Sequence, residues 1–83
     1  MNEMARNTRQ LGALIQRARK QRGWSQGQLA ELAGIRQSTV SLIETDDTSA
    51  RAETIFAILA ALDLEMRVTP RSKGAATDLA DIF

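Results

Sequence analysis

The fold is decided by residues 26–44, which read QGQLAELAGIRQSTVSLIE. A small side chain at Ala30 lets two helices cross closely, and Gly34 can adopt the positive φ that a tight turn needs. Val40 and Ile43 lie one helical turn apart, so they can bury the second helix against the first. This spacing predicts a helix-turn-helix, in which two short helices meet across a turn that contains glycine.

Helices also flank this motif on both sides. An apolar residue recurs every three or four positions in each flank, as in an amphipathic helix. These residues are Leu11, Leu14, Ile15 and Ala18 before the motif, and Ile55, Ile58, Leu59 and Leu62 after it. We expect helices over residues 8–22, 26–33, 36 or 37 to 44, and 51–62. In the second of these, Leu29, Leu32 and Ala33 are expected to share the buried face.

The apolar period changes to two after the last of these helices. Leu64, Met66 and Val68 alternate with polar residues, which predicts a strand over residues 64–69. A lone strand leaves its backbone unpaired, and nothing else in the sequence reads as a strand, so we expect it to pair with a second copy. The sequence therefore predicts an all-α domain with one C-terminal strand that pairs across a homodimer. An extended tail is the alternative.

The second helix of the motif has an outer face suited to DNA. At about 100° per residue, the side opposite Val40 and Ile43 carries polar residues and one leucine. Gln pairs with adenine, Ser donates or accepts, and an apolar side chain touches a thymine methyl. The predicted base contacts are Arg36, Gln37, Ser38, Ser41 and Leu42. Arg36 fits a guanine or a phosphate equally well.

Phosphate contacts are expected around this face. Residues 1–45 hold seven basic and three acidic residues, whereas residues 46–83 hold four basic and seven acidic residues. The basic half can therefore face phosphate, while the acidic half faces a protein. The predicted phosphate contacts are Arg17, Lys20, Ser25, Gln26, Thr39 and Thr45. For Ser25, capping of the helix that follows is an equally good and compatible explanation.

The composition argues against most other functions. Without Cys or His, the chain lacks the residues for disulfides, zinc fingers and Cys/His nucleophiles. The longest uncharged stretch, Thr54 to Leu62, is far shorter than the roughly 20 residues of a membrane span. Asp46 and Asp47 alone make a poor metal site, and a single small core leaves little room for an inducer. We expect a cytoplasmic, nucleoid-associated protein that is not an enzyme and has no cofactor, metal, membrane or small-molecule ligand.

The motif residues also carry a family resemblance. They are Gly23-Trp24-Ser25-Gln26, Leu29-Ala30, Gly34-Ile35, Gln37-Ser38-Thr39-Val40-Ser41 and Ile43-Glu44, and they resemble the Xre/Cro family of phage-repressor-type regulators. Residues 59–68, LAALDLEMRV, are similar to HipB-like antitoxins. The resemblance implies a four- to five-helix lambda-repressor-like fold whose C-terminal strand pairs across the dimer. It also implies an autoregulating repressor of an inverted-repeat operator in double-stranded DNA, with a HipA-type Ser/Thr kinase toxin as partner.

Two details concern the resemblance itself. The resemblance implies a partly buried pair between Arg19 and Glu44. Arg51 departs from the family pattern, in which a capping Ser or Thr is usual at this position.

We expect a helix-turn-helix domain over residues 1–70 and a tail over residues 71–83, in which Leu79, Ile82 and Phe83 dock on the toxin or form a frayed terminus. The alternative functions are a stand-alone Xre-type repressor and a protein-interaction module that has lost DNA binding. Polar residues on the outer face favour DNA, because acidic ones would repel phosphate.

Overall fold

The computed structural model describes residues 3–47 and 49–71 of the 83-residue chain. The described helices are α1 (Thr8–Gln21), α2 (Gln26–Ala33), α3 (Gln37–Glu44) and α4 (Ala52–Ala61). α2 packs against both α3 and α4, and α1 packs against α3. The all-α prediction is confirmed, and each predicted boundary lies within one residue of the observed one. None of these described helices is both long enough and apolar enough to cross a membrane.

The core lies where the four described helices meet, and its members come mainly from the predicted apolar stripes. It comprises Ile15, Ala18, Leu29, Ala30, Val40, Ile43, Ile55, Ile58, Leu59 and Leu62. The prediction for Leu32 was wrong, because its side chain is 60% exposed. The buried side of α2 centres between Leu29 and Ala30, since both face the helices on either side. That direction turns Leu32 outwards, to the edge of the contact.

All four described helices end in the same way. The residue that leaves each helix has a left-handed backbone, and the next N–H bonds to a carbonyl five residues earlier, as in a Schellman motif. These residues are Gly23 (φ 70°), Gly34 (φ 73°), Asp46 (φ 60°) and Asp63 (φ 58°). After Asp63, for example, the Leu64 N–H donates to the Leu59 carbonyl at 2.8 Å. Aspartate therefore stands at two ends where glycine is the usual residue.

α1 crosses the C-terminal end of α3 at Gly12. A Cβ atom on Gly12 would overlap the carbonyl oxygen of Ile43 and lie 3.4 Å from that of Glu44. The absence of a side chain at Gly12 is therefore what lets the two backbones come together. No role for Gly12 was predicted from the sequence, because this glycine lies inside a continuous helical stripe.

Residues 64–71, the part of the chain after α4 that the structure describes beyond its cap, adopt no regular secondary structure. Leu64 packs against the core, whereas Met66 is 48% exposed and Val68 is 94% exposed. A strand that pairs with a second copy needs that copy to form its ladder, so strand 64–69 stays a prediction. Residues 72–83, including the expected final turn with Leu79, Ile82 and Phe83, lie outside the described residues.

Candidate nucleic-acid interface

The outer face of α3 carries the five residues that were predicted to read bases. Arg36, Gln37, Ser38 and Leu42 are exposed, and Ser41 is half-buried. Val40 and Ile43 are buried on the opposite side and hold the helix on the core. α3 thus offers donors, acceptors and one apolar side chain on a single accessible face, and this is the composition that major-groove base edges match.

A buried polar network holds the C-terminal end of α3. Arg19 donates from Nε to Glu44 Oε2 at 2.7 Å and from Nη2 to Glu44 Oε1 at 3.0 Å. Arg19 also donates from Nη1 to the Trp24 carbonyl at 2.8 Å, and Gln26 Nε2 donates to Glu44 Oε1 at 3.2 Å. Arg19 and Glu44 are each only 8% exposed, which confirms the pair that the family resemblance implied.

The network also fixes the charge of Arg19. Its hydrogen bond to Glu44 raises the pKa of Arg19, aided by the opposite charge and opposed by burial. The guanidinium therefore stays charged and forked around the carboxylate, a geometry that lysine cannot reproduce. Because Arg19 lies on α1, Gln26 on α2 and Glu44 on α3, the network sets the position of α3 relative to both earlier helices.

The start of α2 is capped within the chain. Ser25 Oγ accepts from the Gln28 N–H at 3.0 Å, and the Ser25 N–H donates to Gln28 Oε1 at 2.8 Å. The capping role of Ser25 is thereby confirmed, and it is compatible with a phosphate contact by the neighbouring free N–H groups. Gly27 lies beside α3, since a Cβ there would be 3.4 Å from Gln37 Oε1. The start of α2 therefore adjoins the start of α3.

The starts of α3 and α4 differ from those of α1 and α2. Each has an arginine at the N-cap, Arg36 and Arg51, and neither side chain makes a capping hydrogen bond. A shallow recess joins the outer face of α3 to the start of α4, and it is lined by Thr39, Leu42, Ser49, Ala50, Arg51 and Thr54. The Arg51 side chain is 85% exposed and pairs loosely with Glu53 at 3.9 Å. Arg51 is not among the contacts predicted from the sequence, although it places a cation where a capping Ser or Thr is usual.

The other predicted phosphate contacts have mixed surroundings. Arg17 pairs with Glu3, with 3.1 Å between Nη2 and Oε1, whereas Lys20 is exposed on the last turn of α1. Thr45 donates its hydroxyl within the chain, to the Ser41 carbonyl at 2.9 Å or to the Asp47 carboxylate at 2.9 Å. Thr39, in contrast, lines the recess next to Arg51. Thr39 of α3 therefore lies close to the start of α4, whereas Arg17 and Thr45 already have acidic neighbours.

Comparison with known proteins places this geometry in a family. Residues 15–68 match the family model for helix-turn-helix proteins, HTH_3. This chain belongs to the helix-turn-helix family. It is 35% identical to Antitoxin HipB of Escherichia coli O6:H1 over 72 residues, which are 87% of this chain and 76% of that protein. It is 39% identical to Antitoxin HipB of Escherichia coli strain K12 over 57 residues, 69% of this chain and 65% of that one.

Solved structures agree with this placement among the helix-turn-helix proteins. The chain is similar to one in a HipA-HipB-O2-O3 complex, with a TM-score of 0.78, 31% identity and coverage of 86% of this chain and 100% of the other. A HipB-O4 20mer complex gives the same TM-score, identity and coverage. The Xre-type and HipB-like resemblance inferred from the motif residues is therefore confirmed.

The helix-turn-helix chain also has an apolar surface away from the outer face of α3. An open groove of about 260 Å³ runs between the start of α1 and α4, and it is lined by Thr8, Leu11, Ile43, Asp46, Ala50, Ala52, Ile55, Phe56 and Met66. Phe56 is 51% exposed there. Met66 belongs to the predicted dimer strand, together with Leu64 and Val68. The predicted strand therefore adjoins a surface that is apolar enough for a second copy.

Proposed function

We propose that this chain is the antitoxin of a toxin-antitoxin pair and represses its own operon. As a homodimer it binds an inverted-repeat operator in double-stranded DNA, and as an antitoxin it neutralises a HipA-type Ser/Thr kinase. This function needs binding only, and no cofactor takes part. Its site of action is the cytoplasm, on the nucleoid. The domain of residues 1–70 carries DNA binding and dimerisation.

The observation that carries this proposal is the outer face of α3. It is accessible and polar, and the Arg19, Gln26 and Glu44 network holds it from behind. The only acidic residue of α3, Glu44, is buried, so no carboxylate on this helix faces an approaching phosphate. A module that had lost DNA binding would have no need for this arrangement.

The residues divide into two roles in the proposed complex. Arg36, Gln37, Ser38, Ser41 and Leu42 contact base edges, and Arg17, Lys20, Ser25, Gln26, Thr39 and Thr45 contact phosphates. To the second group we add Arg51, because it lies at the uncapped start of α4 across the recess from α3. Phosphate contacts set orientation and salt dependence, whereas base contacts set sequence preference.

A binding titration with DNA from upstream of the gene tests the operator part. The wild-type chain is expected to bind an inverted repeat with half-sites about 34–36 Å apart. The double variant Gln37→Ala, Ser38→Ala is expected to lose sequence preference, because each base contact is worth about 1–3 kcal/mol. The control is Gln21→Ala, which removes an exposed side chain of α1. Full preference in the double variant would show that α3 is not the reading helix.

A kinase assay tests the antitoxin part. The kinase of the neighbouring gene should co-purify with the chain and lose activity in the complex. Likeness to the HipB chain of a HipA-HipB complex supports this partner. Deleting residues 74–83 is expected to weaken toxin capture and leave operator affinity unchanged, if the tail with Leu79, Ile82 and Phe83 docks on the kinase. A chain that binds its operator but no kinase would be a stand-alone Xre-type repressor.

A further inference from the structure

Two arginines at the end of α1 reach in different directions. Arg19 binds Glu44 at the end of α3, as described above. Arg22, one turn later, donates from Nη1 to the Ala18 carbonyl at 3.0 Å and from Nη2 to the Leu62 carbonyl. Its guanidinium also lies over the Trp24 ring, 5.8 Å from the centroid. Arg22 therefore connects the end of α1 to the end of α4.

The Leu62 carbonyl lies at the root of the predicted dimer strand. Leu62 is the C-cap of α4, and its side chain is fully buried. Asp63 follows with φ 58°, and the Leu64 N–H returns to the Leu59 carbonyl at 2.8 Å. The path of residues 64–69 away from the core is thus determined at Leu62 to Leu64. Arg22, the C-cap of α1, holds the Leu62 carbonyl in place.

Trp24 links the two arginines. Its carbonyl accepts from Arg19 Nη1 at 2.8 Å, and its ring lies under the guanidinium of Arg22. A continuous series of contacts therefore runs from Glu44 through Arg19, Trp24 and Arg22 to Leu62. One end of this bridge is the base-facing helix, and the other is the origin of the segment through which two copies are expected to pair.

We propose that this bridge sets the half-site spacing that the dimer accepts, with Arg22 as a positioning residue. The inference rests on the proposed function, in which residues 64–69 pair across the dimer. One added base pair moves a half-site by about 3.4 Å and rotates it by about 34°. A dimer rejects such a change only if each α3 is held firmly relative to the dimer strand. The planar guanidinium of Arg22 donates to the Ala18 and Leu62 carbonyls at once. A lysine would offer a single ammonium group on a flexible side chain.

The experiment compares operators whose half-site spacing is native, one base pair longer or one base pair shorter. The test variants of the full chain are Arg22→Gln, which removes the fork, and Arg22→Lys, which keeps the charge. Lys20→Gln is the matched control, since it removes one positive charge two residues earlier, from the exposed last turn of α1. Sedimentation and thermal melting establish that each variant is a folded dimer.

The expected result is a loss of spacing preference without loss of dimerisation. In Arg22→Gln the preference for native over altered spacing should fall by about tenfold or more, since tenfold is near the lower end of the effect of one charged hydrogen bond. Arg22→Lys should fall between Arg22→Gln and the wild type, and it remains informative if Arg22→Gln does not fold. Lys20→Gln should weaken binding equally at all spacings. An unchanged preference in both Arg22 variants would overturn the bridge, whereas a wild-type chain that binds no inverted repeat would overturn the proposed function instead.

Discussion

Replacing Arg51 by serine is expected to stabilise the fold and weaken DNA binding at the same time. Arg51 is the N-cap of α4 but makes no capping hydrogen bond, and its charge lies at the positive end of the helix dipole. A serine at an N-cap adds about 1 kcal/mol to the free energy of unfolding. Removing the cation adds about 0.3–1 kcal/mol more. The sum, about 1.3–2 kcal/mol, should raise Tm by roughly 5–16 °C in a domain of this size.

In the proposed complex, the same change removes one phosphate contact from each protomer. Each neutralised phosphate contributes about 0.9 to the slope of log K against log salt, so a dimer should lose about 2 from that slope. Urea unfolding followed by circular dichroism measures the stability. Fluorescence anisotropy of labelled operator DNA at several salt concentrations measures the slope and the affinity.

Arg71→Ser is the matched control, because Arg71 is an exposed arginine beyond the four described helices. It removes the same charge and adds no cap, so no gain in stability is expected. If Arg51→Ser stabilised the fold but left the salt slope unchanged, Arg51 would not contact phosphate. A lower stability of Arg51→Ser would show that serine does not cap α4 at this position.

Three further changes test the packing of α3 and the end of α4. Gly12→Ala should destabilise the fold by about 1–3 kcal/mol in urea unfolding, because its methyl group overlaps a carbonyl of α3. The control Gly27→Ala makes only ordinary van der Waals contact, so its stability should stay the same or rise by up to about 1 kcal/mol. Glu44→Ala should lower the free energy of unfolding by about 3–5 kcal/mol, because it leaves a buried guanidinium unpaired. The control Glu53→Ala, at an exposed glutamate, should change it by less than about 0.5 kcal/mol in the same assay. Asp63→Gly should raise Tm, because about 1 kcal/mol of left-handed strain and an anion at a helix C-terminus are both removed; an unchanged or lower Tm would contradict this.

The helices could be predicted from the sequence because local signals agreed with the final packing. The apolar stripes of α1 and α4 point into the core, and Gly23 and Gly34 end the first two helices as expected. Leu32 was assigned wrongly, because the stripe shows which residues are apolar but not which neighbours α2 will meet. Gly12 was missed for a related reason. Its role depends on a backbone that is distant in sequence, and no local pattern reports such a contact.

The candidate site was predictable to a similar extent. The outer face of α3 follows from the inward direction of Val40 and Ile43, so its residues could be named in advance. Arg22 could not, because its partner is the Leu62 carbonyl, 40 residues away in the chain. Backbone carbonyls look alike in any sequence, and only the fold shows which of them lies within reach of an arginine.

The caps divide the described helices into two pairs. Asn7 accepts from the Gln10 N–H at 2.8 Å and Ser25 closes a capping box, so the starts of α1 and α2 are satisfied within the chain. Arg36 and Arg51 cannot accept hydrogen bonds, and both add positive charge to a helix end that is already positive. In the free protein this arrangement is unfavourable, and a bound phosphate would remove the disadvantage at both ends. The unfavourable interaction of the two arginines with the helix ends in the free protein would then add to the affinity for DNA, because only the bound state relieves it. An arginine at the N-cap of both α3 and α4 therefore suits the proposed phosphate-binding surface, whereas serine or aspartate at these positions would make the free fold more stable.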